Sequence, residues 1–259
     1  MGLFTSNNNA GPGISKDSLR KKGVLRFFEI IGREYRDLMK VNILFFLCVL
    51  PSVALFLLGL FGILEFALML AIIAAYPVGG AAAASMFCIT RMLRDDPGFF
   101  WEDFKRKFLE NLRQASIAGV LAAILLLSQI FFFWVPVLAD WEVVSMVWIV
   151  AGFALIMLFL MILPYVFLHY AYIKLGTFTI IKNSIFIALS NLGRSFIGAV
   201  FGIVPWAALF FFFPLSLIFF PLIPFFVFAL SWLLNLMWVW PVFDKKFSIE
   251  ETLKMENEE

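Results

Sequence analysis

The chain has 259 residues, of which 63% are hydrophobic, 18% aromatic and only 15% charged, with 34 phenylalanines and a formal net charge of +2. A soluble globule of this size needs far more charge to cover its surface, so an ordinary soluble domain is excluded. Apolar runs of about 20 residues, the length of one bilayer crossing, recur along it, and the fold class they predict is all-α and polytopic.

Residues 1–25 read as a polar, basic tail. The first forty residues hold no apolar core of the length a cleavable signal peptide needs, so the first span is expected to serve as its own anchor. The opening MGLFTS fits the loose myristoylation pattern through Gly2 and Ser6, but a multispan protein gains little from one marginal acyl chain, and the unmodified reading is preferred.

An interfacial helix over about 26–40 precedes a first span at about 43–62, and Glu65 separates this from a second span at about 66–90. The second span contains YPVGGAAAAS, Tyr76 to Ser85. In water this would be a loop. In hydrocarbon an exposed loop would leave backbone groups unpaired, so the stretch is expected to be a kinked helix whose small residues Gly79, Gly80, Ala83 and Ala84 let another helix or a partner protein approach closely.

Pro97-Gly98 then turns the chain into FFWEDFKRKFLENLRQ, where Phe100, Trp101, Phe104, Phe108 and Leu112 recur at helical spacing opposite Lys105, Arg106, Lys107 and Glu110. This predicts a second interfacial helix over about 99–113, followed by spans at about 115–138 and 143–168 with Asp140 and Glu142 between them. A third, weaker amphipathic stretch over about 174–191 carries Lys174, Lys182 and Asn183. The run from Ser195 to Phe243 would be about 70 Å long as one helix, more than twice a hydrocarbon core of about 30 Å. It must fold back, and Pro214, Pro221 and Pro224 mark the turn between spans at about 195–216 and 222–243. Residues 248–259 form an acidic tail, leaving residues 26–247 as one six-span membrane domain built of three hairpins.

Every Lys and Arg falls in residues 1–42, 91–114, 173–194 or the C-terminal tail, while the alternate connections carry only Glu65, Asp140 and Glu142 or no charge. By the positive-inside rule, both termini and the two long connections are expected to be cytoplasmic. A similar phrase precedes three spans: Asp37 to Ile43, Asn111 to Ile117 and Asn191 to Ile197. Each leads into a pair of spans, which suggests a pseudo-threefold repeat whose axis runs along the membrane normal, although short matches of common residues also arise by chance.

Chemistry is sparse. No ionisable residue lies deep in a span; His169 sits near the cytoplasmic end of the fourth and reads as an interfacial hydrogen-bonding residue. One histidine cannot build a zinc site, and Cys48 and Cys88, each in apolar sequence, read as inert thiols. Serines such as Ser128 have no base nearby in sequence and no phosphate-cradling loop is present, so no enzymatic activity, cofactor or nucleic-acid partner is expected. Among uncharged polar residues in the spans, most are expected to bond between helices; Ser85, Gln129, His169 and Asn235 are the candidates to line a polar path.

Four stretches, GGAAAASMFCITRMLRDD (Gly79 to Asp96), FFWEDFKRKFLENLRQ (Phe99 to Gln114), ALSNLGRS (Ala188 to Ser195) and WPVFDKKF (Trp240 to Phe247), resemble in order and spacing the YesL-like family of bacterial membrane proteins, over about Phe27 to Phe247. The family often has Gly-Pro where this chain has Gly80-Ala81, with its proline earlier at Pro77. The family has no established biochemical activity and supplies no active site to carry over. Its members tend to be encoded beside carbohydrate-uptake ABC transporters and polysaccharide-degrading enzymes in Gram-positive bacteria, which implies an accessory, assembly or regulatory role in sugar import. The rival reading is a small transporter or channel for an uncharged solute such as a sugar, and a purely structural factor would look the same in sequence as the first.

Overall fold

The computed structural model describes residues 23–64, 66–139, 141, 144–211 and 223–258. Gly2 and Ser6, the acidic residues Glu65, Asp140 and Glu142, and the turn prolines Pro214 and Pro221 lie outside the described residues. Within these residues all regular structure is helical: α1 (Val24–Leu60), α2 (Ala67–Ala74), α3 (Tyr76–Arg94), α4 (Phe100–Leu138), α5 (Met146–Tyr172), α6 (Thr177–Ser190), α7 (Leu192–Phe211), a π-helical turn (Ile223–Val227), α8 (Phe228–Phe247) and α9 (Ile249–Glu258). Six stretches are long and apolar enough to cross a bilayer: Val24–Leu60, Ala67–Arg94, Phe100–Val137, Met146–Tyr172, Leu192–Phe211 and Phe225–Phe247. Their number and length make this a multi-pass membrane protein.

The amphipathic stretches relate to the spans in two ways. Residues 26–40 and the first span form one helix, α1, which departs from helical geometry only at Glu34 (φ −109°, ψ 15°). Residues 99–113 likewise run without a break into α4. The junctions RDLMKVN and ENLRQAS are rich in straight-chain residues that favour helix, so nothing stops the chain there. The third junction differs, because α6 ends at Ser190 and Asn191 (φ −123°, ψ 43°) turns the chain into α7, with Gly193 further weakening helical continuity.

The second span is divided at Ala75 (φ −74°, ψ −4°), and Pro77 falls in the first turn of α3, where a missing N–H forfeits no helical bond. At the other end of α3, Asp95 takes the left-handed conformation (φ 63°) and terminates the helix. Helix α5 begins at Ser145, whose side chain accepts a hydrogen bond from the Trp148 N–H at 3.3 Å.

Two spans make the centre. Half of the most apolar 18-residue window is buried (50%) in Ala67–Arg94 and in Phe225–Phe247, against 6%, 6%, 11% and 17% in the other four. Residues Gly79 to Met92 of α3 are all buried, and from α8 the core receives Ala229, Leu233, Leu236, Val239 and Phe243. The remaining helices turn apolar side chains outward, among them Leu47, Val53, Leu121, Ile124, Val150 and Phe153. A contiguous apolar exterior of this extent is a liability in water and the expected surface in lipid.

Polar side chains bridge neighbouring helices by bonding to their backbones. Ser52 of α1 donates to the Ala71 carbonyl of α2 at 2.7 Å. At the switch from π to α pitch ahead of α8, the Ala229 N–H donates to Asn42 Oδ1 at 2.8 Å, tying α1 to α8 across 187 residues. Asn42 is fully buried, so Asn42→Leu removes the acceptor and leaves an N–H unpaired in an apolar interior. The expected loss is about 1–2 kcal/mol, read as a lower midpoint of thermal unfolding in detergent, with Ser52→Ala losing about half as much.

Candidate functional site

The small-residue face of α3 lies against α4 of the same chain. A Cβ on Gly79 would collide with the Ala115 carbonyl, and one on Gly119 would come within 2.5 Å of the Gly79 nitrogen. The two backbones therefore touch, which only glycine at both positions permits. Gly80 is less constrained, since its added Cβ would meet the Leu112 Cα at 3.2 Å and the Phe108 carbonyl oxygen at 3.3 Å. Ala83 and Ala84 are completely buried. The face is thus occupied internally, with none of Gly79, Gly80, Ala83 or Ala84 exposed to a second protein.

A second close contact joins α7 to α8. A Cβ on Gly198 would lie 3.2 Å from the Asn235 carbonyl oxygen, and one on Gly202 would lie 3.3 Å from the Asn235 Cβ. Gly198 and Gly202 form a small-xxx-small pair, the sequence signature of close helix contact in membranes, and this signal was present in the sequence without entering the expected contact face.

At one end of the bundle, charged side chains from three segments of the chain converge. Asp95 is the hub: its Oδ2 accepts from Arg26 at 2.6 Å and its Oδ1 from Arg33 at 2.5 Å. The same guanidiniums reach the last carbonyls of α3, Arg26 to Leu93 at 3.0 Å and Arg33 to Met92 at 3.3 Å. Cations there complement both the unsatisfied carbonyls and the negative end of the helix dipole. Arg91 pairs with Asp103 in the first turn of α4, across Gly98, whose added Cβ would strike the Arg91 guanidinium at 2.6 Å.

Arg94 completes the cluster. It donates to Asp96 at 2.6 Å and to the Tyr172 hydroxyl at 2.9 Å, and its guanidinium lies over the rings of Tyr172 (5.4 Å) and Trp240 (5.3 Å). Because arginine only donates, the Tyr172 oxygen accepts from it and is free to donate to Thr90 Oγ1, 2.6 Å away, while the Thr90 hydroxyl donates to the Met86 carbonyl at 2.7 Å. Arg26, Arg91 and Arg94 are buried although charged, and each has an acidic partner. The cluster holds no nucleophile beside a base. Its chemistry is structural pairing of charge. The run RMLRDDPG announces it in sequence, but Arg26 and Arg33, 62 or more residues earlier, could not be assigned to Asp95 without the fold.

The four polar candidates lie on four different helices, and no hydrogen bond joins any two of them. Ser85 lies on α3, buried, with its hydroxyl unpartnered, and Gln129 lies on α4 with a buried, unpartnered Oε1. His169 on α5 is fully buried, its Nδ1 2.7 Å from the Tyr165 carbonyl and 3.1 Å from Ser184 Oγ. The carbonyl fixes the proton on Nδ1 and leaves Nε2 unpartnered, with Phe243 and Phe247 packed edge-on against the ring at 5.1 and 5.2 Å. Asn235 on α8 faces the α7 glycines, one turn after Ser231. Cys88 is buried, Cys48 half-buried, and both are free thiols. Among the described residues no three His, Cys, Asp or Glu side chains come together as metal ligands.

Compared with models of known protein families, with curated proteins and with solved structures, the chain finds no match.

Two substitution series test this geometry. Gly79→Ala must push α3 off α4 and is expected to cost about 3 kcal/mol or to abolish recovery of folded protein, whereas Gly80→Ala costs about 1 kcal/mol or less; equal thermal midpoints in detergent would contradict the contact. Asp95→Asn keeps a residue that tolerates the left-handed conformation but removes the charge between Arg26 and Arg33, and is expected to cost about 3 kcal/mol. Glu29→Gln, which touches only one face of Arg26 at 3.2 Å, should cost less than about 1 kcal/mol by the same measurement.

Proposed function

We propose that the chain is a non-enzymatic accessory protein of the bacterial plasma membrane, with both termini cytoplasmic, that binds and helps assemble or regulate the membrane subunits of a carbohydrate importer of the ABC type. The observation that carries this reading is the close-packed centre: α3 and α8 contribute alanines, leucines and aromatic side chains to one contiguous apolar cluster, and no hydrogen bond joins the polar candidates for a solute path on α3, α4, α5 and α8. A transporter needs convergent polar groups near mid-membrane, and two surface clefts among the described residues, one beside Lys107 and Tyr170 and one beside Lys182 and Phe186, include none of Ser85, Gln129, His169 and Asn235.

The importer as partner rests on the resemblance to YesL-like proteins, and the cytoplasmic placement of the termini on the distribution of lysine and arginine. A pseudo-threefold repeat of hairpins fits the phrases ahead of α1's span, α4's span and α7, whose fifth residues Val41, Ala115 and Ser195 are all buried. With the α3 face occupied internally, the surfaces left for a protein partner include the apolar exteriors of α1, α4, α5, α6 and α7. Purification from the native host in mild detergent, from cells grown on different polysaccharides, is expected to recover permease or ATPase subunits with this chain. Repeated recovery of the chain alone would defeat the reading.

A further inference from the structure

A cleft of about 300 Å³ opens between the amphipathic part of α4 and the end of α5. Its rim carries three cations, Lys107, Arg113 and Lys174, against one carboxylate, Glu110. Lys107 is engaged, 3.5 Å from Glu110 and with its ammonium over the Phe87 ring at 4.9 Å. Arg113 and Lys174 are exposed and form no ion pair with a described residue. In the lining, Tyr170 is only 4% exposed, and its hydroxyl has no hydrogen-bond partner of good geometry, the Thr177 side chain being near enough to act only as a weak one. A buried, unpaired hydroxyl in a cationic cleft is an unmet demand for an acceptor, costing about 1–3 kcal/mol unless a bound group meets it.

We propose that this cleft binds a phosphate ester, and that the source is the headgroup of an anionic lipid. Arg113 and Lys174 would neutralise the phosphate and the Tyr170 hydroxyl would donate to one of its oxygens. The level of the cleft favours the lipid: Lys174 follows directly on the span ending at Tyr172, and Lys107 and Arg113 lie just ahead of the most apolar part of α4, the depth at which headgroups sit. The volume lies at the lower end of ligand pockets, enough for a phosphoglycerol group and too small for a large sugar. The inference rests on the chain being a membrane protein and is independent of its proposed importer partner.

The test uses the full-length chain purified in uncharged detergent, with thermal stability followed as phosphatidylglycerol, phosphatidylcholine or inorganic phosphate is titrated in. Phosphatidylglycerol is expected to stabilise, and its apparent affinity to fall about 25-fold in the Arg113→Gln/Lys174→Gln double variant, taking roughly fivefold per basic residue. Tyr170→Phe should weaken it about fivefold without lowering the stability of the lipid-free protein, since it removes an unpaired group and leaves the ring. Lys245→Gln/Lys246→Gln, an exposed basic pair elsewhere, should bind as the parent does. Stabilisation by millimolar inorganic phosphate that the double variant abolishes would support the phosphate site with a free anion as its source. Equal stabilisation by phosphatidylcholine, equal losses from the control pair, or unaltered binding by Tyr170→Phe would each overturn the proposal. The native co-purification succeeds or fails separately.

Discussion

The backbone of α3 rests directly on the backbone of α4 at Gly79, Ala115 and Gly119, and much else follows from that contact. In lipid there is no hydrophobic gain from bringing two apolar helices together, so association must come from close packing and from polar groups that find partners. A helix made of Gly, Ala and Ser can be surrounded by bulkier neighbours without voids, which is why α3 takes the centre and the Phe- and Leu-rich helices take the outside. The central position in turn brings the end of α3 within reach of α1, α4 and α5.

That end is where the burial of charge becomes affordable. Three buried arginines would be prohibitive singly in a low-dielectric surrounding, but each is matched by a carboxylate, and Arg26, with the half-buried Arg33, also donates to the last carbonyls of α3. The aromatic rings of Tyr172 and Trp240 add a second kind of partner for Arg94, one that costs no desolvation of another charge. The arrangement fixes direction as well as energy: Asp95 in its left-handed turn presents both oxygens away from α3, one to Arg26 and one to Arg33.

Most of the span pattern was legible in the sequence, because runs of uncharged residues and their flanking lysines and arginines obey the same physics that places a helix in a bilayer. The small-residue stretch was legible as a contact face, though the identity of its neighbour was not, since Ala115 and Gly119 carry no mark distinguishing them from other small residues in α4. The junctions at Val41 and Ala115 were read as breaks between an interfacial helix and a span; the structure runs them through, because amphipathic pattern reports the surroundings of each residue and is silent about whether the axis bends. Gln129, His169, Ser85 and Asn235 share polarity in sequence, while in the structure no hydrogen bond joins any two of them. The links from Arg26 and Arg33 to Asp95, and from Asn42 to Ala229, are long-range pairings that no local rule contains.

Those separations also set an order of events at the ribosome. Arg26 and Arg33 emerge 69 and 62 residues before Asp95, so α1 must enter the membrane with its basic end still held by water and lipid headgroups, and the first closure comes when the turn after α3 is made. The link from Asn42 closes far later, since Ala229 follows it by 187 residues. A helix near the end of the chain thus completes a bond to the first one, so the packing of α1 is finished only after α8 has been made.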